Sequence, residues 1–431
     1  MALGGGKFTS QNKVLPGAYI NVISAKMAQS ALSNRGVVAI PLEFDWCVDN
    51  EIFTFNSEDF DRKALRTFGR NVNDEKLKPI RELIKGATVL HLFKINSGGV
   101  KASNDIAEAK YTGARGNDLA VSIIANPASE SGNEIYDVIT YLDGINVDSQ
   151  TVKNVSGLVA NDFVTFKSNA LALTAKTSLT GGTNGTVSNE NHKKFLDKAE
   201  SYGFNILATT STDETIKALF FAYTKRMRDE IGKTFQCVLH KSPSDYIGII
   251  SVENNLTGEL VPWVAGKQAG CRLSTSLTNA IYDGEYEVKV DYTQTQLETA
   301  LGDGKFIFHK EGDSVRVLED INSYVTFTEE QNEDFRENQA VRVLDQIGND
   351  IAVIFNTRYL GKIANDKSGR DSFWSDIVKH HQALQTDGAI ENFKPEDIVV
   401  IEGENKKSIV VSDRVTPTSV MNQLYMTVIA Q

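Results

Sequence analysis

The stretch from Phe195 to Val252 reads FLDKAE SYGFNILATT STDETIKALF FAYTKRMRDE IGKTFQCVLH KSPSDYIGII SV. Phe195, Leu196, Ala199 and Tyr202 recur at helical spacing and stop at Gly203, and the short apolar run NILAT follows. The plan then repeats: Ile216, Leu219, Phe220, Tyr223 and Met227 line one helical face, Gly232 ends it, and FQCVLH and YIGIISV come next. Helices alternating with strands that are apolar at nearly every position predict a mostly parallel sheet covered on both sides, with right-handed crossovers. The core is therefore expected to be α/β.

Working outward, residues 35–95 mix strand-like runs, Val37 to Ile40 and Ile52 to Phe55, with helices expected from Glu58 to Phe68 and near Leu77 to Ile84. From about Ala87 to Thr180 the pattern changes to short runs such as VLHLF, DLAVSII, YDVITYL and FVTFKS, parted by Gly, Asn, Asp and Ser. Turn signals at the spacing of a sandwich or barrel predict an inserted all-β module. The last third opens with EYEVKVDY, KFIFHK and VRVLEDI, read as strands. Thr328 and Gln331 then suggest a capping box before a helix whose inner face carries Ala340, Leu344, Ile347, Ile351 and Ile354. A second helix spans about Phe373 to Gln385, and IVVI, SIVVSDRV and QLYMTVIAQ close the chain. The domains so read are residues 1–30, an N-terminal arm; 31–90, an α+β part of the core; 91–180, the β module; 181–328, the α/β core; and 329–431, a C-terminal α+β domain.

Composition narrows the function. With 431 residues, 41% hydrophobic and 23% charged, the chain is long enough for about two to four domains and is neither disordered nor collagenous. A net charge of −11 argues against a general nucleic-acid or anionic-membrane binder. Cys47, Cys237 and Cys271 are too scattered for a disulfide framework or a four-thiolate zinc site, which points to a reducing compartment. No apolar run reaches the roughly 18 residues of a membrane span, and the start lacks a secretory pattern. The sequons at Asn154, Asn184 and Asn255 are read as chance matches.

The catalytic motifs fail one by one. Gly232-Lys233-Thr234 resembles the end of a P-loop, yet Met227 stands where that motif needs glycine, and the triplet closes a helix. The Gly181-to-Gly185 loop precedes a helix and could meet an anion, but a tight domain junction is the stronger reading. Gly312-Asp-Ser314-Val-Arg316 begins like a nucleophile elbow and ends as a hairpin turn. His91, His192, His240, His309, His380 and His381 include no HExxH pair. Carboxylate pairs such as Asp59 with Asp61, or Glu329 with Glu330, sit at helix starts, where the macrodipole accounts for them. No catalytic residue, cofactor or metal is expected. Lys362, Lys367, Arg370 and Lys379 form a cationic group in an otherwise acidic chain, either a solvated face or a dock for an acidic partner.

The chain ends are more informative. In QLYMTVIAQ, Leu424, Met426, Val428 and Ala430 share one strand face and Tyr425, Thr427 and Ile429 the other, so neither face is strongly polar. Such a strand must be paired and covered. The candidate partners are a neighbouring copy, whose non-closing head-to-tail contact would propagate as a filament, or the other end of the same molecule.

The phrases PGAYINVIS, AKYTGARGNDLAVSI, LTGGTNG, VPWVAGKQAGCRLSTSLTNA, NFKPEDIVV and DRVTPTSVMNQLYMTVIAQ, in this order, resemble the contractile phage tail sheath proteins of the type found with Gram-positive hosts. The resemblance spans nearly the whole chain. It implies a structural protein, not an enzyme, that polymerises helically around an inner tail tube and contracts to drive that tube through a cell envelope. It implies strand exchange between subunits through Tyr19, Ile20, Asn21, Val22 and Ile23 of the arm and Leu424, Tyr425, Met426, Thr427, Val428 and Ile429 of the tail. It places the C-terminal domain against the tube, making Lys362, Lys367, Arg370 and Lys379 candidate tube contacts, and turns the β insertion outward. Its implied partners are other copies of the chain, the tube protein, and baseplate and tail terminator proteins, without nucleic acid or membrane insertion. The location implied is the virion tail, after assembly in host cytoplasm. Two other readings compete: a nucleotide-binding α/β enzyme using the crevice at the carboxyl ends of its strands, and another self-assembling shell or surface-layer protein.

Overall fold

The computed structural model describes residues 35–167 and 171–430. They fall into two units, residues 35–343 with 417–430 and residues 344–416. The arm strand expected at Tyr19 to Ile23 lies outside the described residues.

The larger unit begins with β1 (Val37–Leu42), β2 (Ile52–Asn56), α1 (Phe60–Phe68), α2 (Lys78–Ile84) and β3 (Val89–Lys94). An all-β insertion follows, with β4 (Ala107–Ala109), β5 (Leu119–Ala125), β6 (Tyr136–Leu142), β7 (Ile145–Val152), β8 (Val164–Phe166) and β9 (Thr174–Ser178). The chain then returns to the core through α3 (Asn189–Ala199), β10 (Ile206–Ala208), α4 (Glu214–Arg226), β11 (Gln236–His240), β12 (Ile249–Val252), α5 (Val261–Gly270), α6 (Gln294–Gly302) and β13 (Lys305–Phe306). A hairpin, β14 (Phe308–Glu311) with β15 (Ser314–Val317), turns at Gly312 as read from the sequence.

The core sheet has seven strands in the order β13-β12-β11-β10-β1-β3-β2. Pairing is parallel from β13 across to β3, and β2 joins the edge antiparallel to β3. Every residue of β1 is buried because both faces are covered. Val38, Ile40 and Leu42 enter a core with Leu83, Trp263 and Val264, while Val37 and Ala39 enter another with Phe195, Phe220 and Phe235. On the first face α2 and α5 meet backbone to backbone. A Cβ at Gly266 would lie 2.2 Å from Leu83 O, and one at Gly86 would lie 2.3 Å from Gly266 O. Only glycine allows that approach.

The insertion forms a four-stranded antiparallel sheet, β7-β6-β5-β9, with β4 paired to β8. Its own core is joined to the α/β part by Trp46, which packs against Tyr111 at 5.3 Å, edge to face. Arg115 is buried at the junction: its Nε donates to Gly69 O at 2.6 Å, and its Nη atoms donate to Asp118 and Asp143. Beside it Gly113, at φ 135°, leaves no room for a side chain against Asp45 O.

A second polar hub organises the far end of this unit. Buried Asp320 accepts from Leu277 N at 2.9 Å, Asn338 Nδ2 at 2.8 Å, Gln268 Nε2 and Arg342 Nη2. Asn338 opens α7 (Asn338–Ile354), so the start of that helix is tied to α5 and the loop after it.

Two strand and cap expectations are corrected. Residues 285–292, EYEVKVDY, form no strand. Their backbone is instead held by side chains, Asn255 Nδ2 donating to Glu287 O, Lys289 N to Asn255 Oδ1 and Asn254 Nδ2 to Lys289 O, while β13 takes the open edge of β12. Thr328 and Gln331 close a turn, with Gln331 N donating to Thr328 Oγ1 and Thr328 N to Gln331 O, and the helix starts at Asn338.

The smaller unit holds α8 (Lys367–Thr386), a short β16 (Ile390–Glu391), and the hairpin of β17 (Ile398–Glu402) and β18 (Ile409–Asp413).

In the larger unit, burial pushes the Asp45 carboxyl up, but Arg70 and Lys76 outweigh it and hold its pKa below the usual carboxylate value. Its ion pairs therefore stabilise the fold above the unfolded pKa of about 3.9, and that stability is lost as pH falls through the lower folded value. Asp45→Asn is expected to lower stability by about 3 kcal/mol at pH 7, with the difference from the parent narrowing below about pH 4, in urea titrations across pH.

Candidate functional site

Two features left uncovered in the single chain define the candidate site, the tail after Pro417 and the hairpin in the smaller unit. Ser419 Oγ donates to Glu337 Oε2 at 2.9 Å, and beyond it residues 420–430 carry no strand or helix. The strand read at Leu424 to Ile429 is therefore not formed among the described residues. Met421, Leu424, Tyr425, Met426, Val428 and Ile429 are each at least 72% exposed.

The hairpin lies on α8. Its β17 and β18 register pairs Ile398 with Asp413, Val400 with Val411 and Glu402 with Ile409, so these share one face. That face meets the helix: Ile398 is 3% exposed, Trp374 Nε1 donates to Ile398 O at 3.0 Å, and Arg370 lies 3.8 Å from Glu402. At the end of the same face His381 Nε2 lies 3.0 Å from Asp413 Oδ2. His380, the next residue, reaches Asp350 Oδ2 at 2.9 Å, and the two imidazoles touch, so both histidines are core members of this unit. Val399, Ile401 and Val410 point the other way and are exposed. Strands β17 and β18 pair only with each other among the described residues, leaving two open edges and an apolar outer face.

Beside the start of β18 a cavity of about 110 Å³ opens between α8 and residues 355–365, lined by Phe355, Tyr359, Ile363, Ala364, Phe373 and Ile409. Phe373 meets Tyr359 at 4.8 Å and Phe355 at 5.5 Å between ring centres. Burial, with a hydrogen bond to Asp376, pushes the Tyr359 hydroxyl up to about 12.

The cationic group is only partly brought together. Lys362 Nζ donates to Thr357 O, and Arg370 is half-buried, donating to Asn365. Lys367 and Lys379 are exposed, but twelve residues of helix separate them by about 18 Å and about 120° of rotation. Sequence reading missed the cavity because it comes from contacts between separated segments, and the hairpin's open edges because a local pattern does not record which strands stay unpaired.

The rival site also has a place. Between β1 and β10, where the strand order reverses, a crevice of about 390 Å³ opens at the carboxyl ends, lined by Leu42, Glu43, Thr210, Thr257, Glu259 and Lys76 among others. Glu43 and Glu259 make it acidic, and Lys76 is bound to Asp45 at 2.5 Å, so the pocket is ill suited to phosphate. Gly232 caps a helix in the left-handed conformation, and Lys233 Nζ is spent on the Glu200 and Tyr202 carbonyls. In the loop before α3, Gly182 and Gly185 press against the backbone of Gly113 and Ser97. No group of His, Cys, Asp and Glu suited to a metal ion occurs among the described residues. No helix there is long and apolar enough to cross a membrane.

Four family profiles match in succession: the tail sheath protein Gp18 domain III N-terminal region at residues 35–95, the phage tail sheath protein beta-sandwich domain at 97–184, its central domain at 185–323, and its C-terminal domain at 330–431. The phage-like element PBSX protein XkdK of Bacillus subtilis is 32% identical, with 99% of each chain covered. The crystal structure of a sheath tail protein from Desulfitobacterium hafniense superposes with a TM-score of 0.80 at 35% identity, covering 93% of this chain and 96% of that one. The helical sheath of the anti-feeding prophage in its contracted state shares the fold, with a TM-score of 0.53 at 13% identity, covering 96% of this chain and 99% of that one.

For the crevice, Mg-ATP at about 1 mM is expected to leave the thermal midpoint unchanged. A site with a Kd near 10 µM would add about 2.7 kcal/mol at that concentration, and the resulting rise of several degrees would refute the reading.

Proposed function

This chain belongs to the phage tail sheath protein family, and from that premise we propose that it polymerises helically around an inner tail tube by strand exchange and contracts to drive the tube through a cell envelope. Two separate observations support this reading, a bare apolar tail, Leu424 to Ile429, and a hairpin whose two edges are open among the described residues. A strand lent by one copy supplies main-chain hydrogen bonds to an open edge in another and extends the sheet face that carries Val399, Ile401 and Val410. Tyr19 to Ile23 of the arm are assigned the matching role at the other edge. An extended arm of about 20 residues spans up to about 70 Å, so cores can rotate while the exchanged strands stay bonded.

The work of contraction comes from packing. Subunits sit in a metastable extended array until the baseplate releases them; each core then turns as a rigid body and buries more surface against its neighbours. The C-terminal domain faces the tube, with Lys362, Lys367, Arg370 and Lys379 as the assigned contacts, of which Lys362, Lys367 and Lys379 are exposed. A terminator protein closes the array, which resides in the virion tail after assembly in host cytoplasm.

Negative-stain microscopy of the recombinant protein is expected to show long tubes, and deletion of residues 423–431 to leave folded monomers. Normal polymerisation of the truncated chain would refute strand exchange, and flat lattices or closed shells from the full chain would favour a shell or surface-layer protein. Lys367→Glu with Lys379→Glu is expected to preserve tubes of sheath alone while reducing co-assembly with tube protein at least tenfold by sedimentation.

A further inference from the structure

The geometry points to a side-chain socket within this interface: the cavity beside the start of β18 receives Met426 from the tail of a second copy. The inference rests on the strand-exchange reading and adds which side chain registers the exchanged strand. Ile409 both begins β18 and lines the cavity, and it lies on the hairpin face turned toward α8. A strand laid along the open edge of β18 continues the same sheet, so every second side chain it carries joins that face. One of these side chains therefore enters the cavity next to Ile409.

The cavity selects what enters. Its volume of about 110 Å³ is somewhat below the roughly 150 Å³ of a cavity that holds benzene, which suits one flexible aliphatic side chain. Its wall is aromatic on one part, through Phe355, Tyr359 and Phe373, a surface on which a thioether makes favourable sulfur–ring contacts, while Asn365, Arg370 and Lys407 supply the polar part of the lining. The tail fits on two counts. From Val415 to Gln431 it carries no Lys, Arg, Asp or Glu, so no charged side chain has to be desolvated when it docks. Its even positions Leu424, Met426 and Val428 are aliphatic, and Met426, central among them, is unbranched and 72% exposed in the single chain. With that face inward, Tyr425 and Ile429 extend the outer apolar face of Val399, Ile401 and Val410. Register matters because a slip of one residue would exchange the two faces.

The test is disulfide trapping in assembled tubes of the full chain carrying Ala364→Cys with Met426→Cys. Ala364 is exposed and lines the cavity, and Cys47, Cys237 and Cys271 are buried, so background oxidation is low. Mild oxidation is expected to give a reductant-sensitive ladder of dimers and larger species on gels, at least ten times stronger than the pair Ala364→Cys with Tyr425→Cys. Equal trapping through Tyr425→Cys, trapping through Val22→Cys of the arm instead, or no trapping in tubes that form normally would each overturn the socket. These outcomes leave strand exchange itself untouched, since that is judged by whether the chain lacking residues 423–431 still polymerises. As a second reading, Met426→Asp is expected to raise the critical concentration for assembly at least tenfold and Met426→Leu to restore it within about threefold; an Asp variant assembling like the parent would also overturn the socket.

Discussion

Apolar side chains that none of the described residues of their own molecule covers are the constraint from which the rest follows. The described body is otherwise well provided: both faces of the central sheet are covered, and the β insertion has a core of its own. Against that background the tail stands out, since each large side chain gains about 1.5–3 kcal/mol when fully buried. That gain is reduced by the ordering cost of association, so no single tail holds two copies firmly. In the array proposed above, many such contacts would make a continuous mesh whose links are individually modest.

A mesh of this kind works only if the bodies it connects keep their shape. In the larger unit the α/β part and the β insertion share Trp46 across their junction, and Arg115 is bonded from inside the seam to Gly69 O and to two aspartates. Asp320 gathers five donors from α5, the loop after it and the beginning of α7. Buried polar groups bonded to this many partners specify one arrangement, because a shift would strand a charge in low dielectric. Rigidity of the body and freedom of the tail are thus separate properties, located in separate residues.

Much of this was legible in the sequence where local pattern and tertiary structure agree. The alternation around Phe195 to Val252 predicted the parallel core because strands covered on both faces have to be apolar throughout. The strand read at Leu424 to Ile429 has no counterpart among the described residues, where the tail carries no strand or helix. What could not be read depended on long-range competition. Residues 285–292 have a strand's composition, but Asn254 and Asn255 take up their backbone groups. Thr328 and Gln331 have a cap's spacing, but they close an isolated turn. Four cations near in sequence looked like one patch, but helix geometry sends Lys379 well away from Lys367. The cavity beside Ile409 draws on segments more than 50 residues apart and leaves no periodic trace.

The seam between α2 and α5 has a mechanical meaning. Side chains between packed helices normally act as soft spacers, able to change rotamer when stressed. At Gly86 and Gly266 there is no such cushion, since peptide planes press directly on peptide planes. Compliance is therefore lowest on this side of the central sheet, and a load applied to one helix passes to the other with little loss as internal strain. A subunit that transmits thrust benefits from placing such a stiff seam next to its central strands.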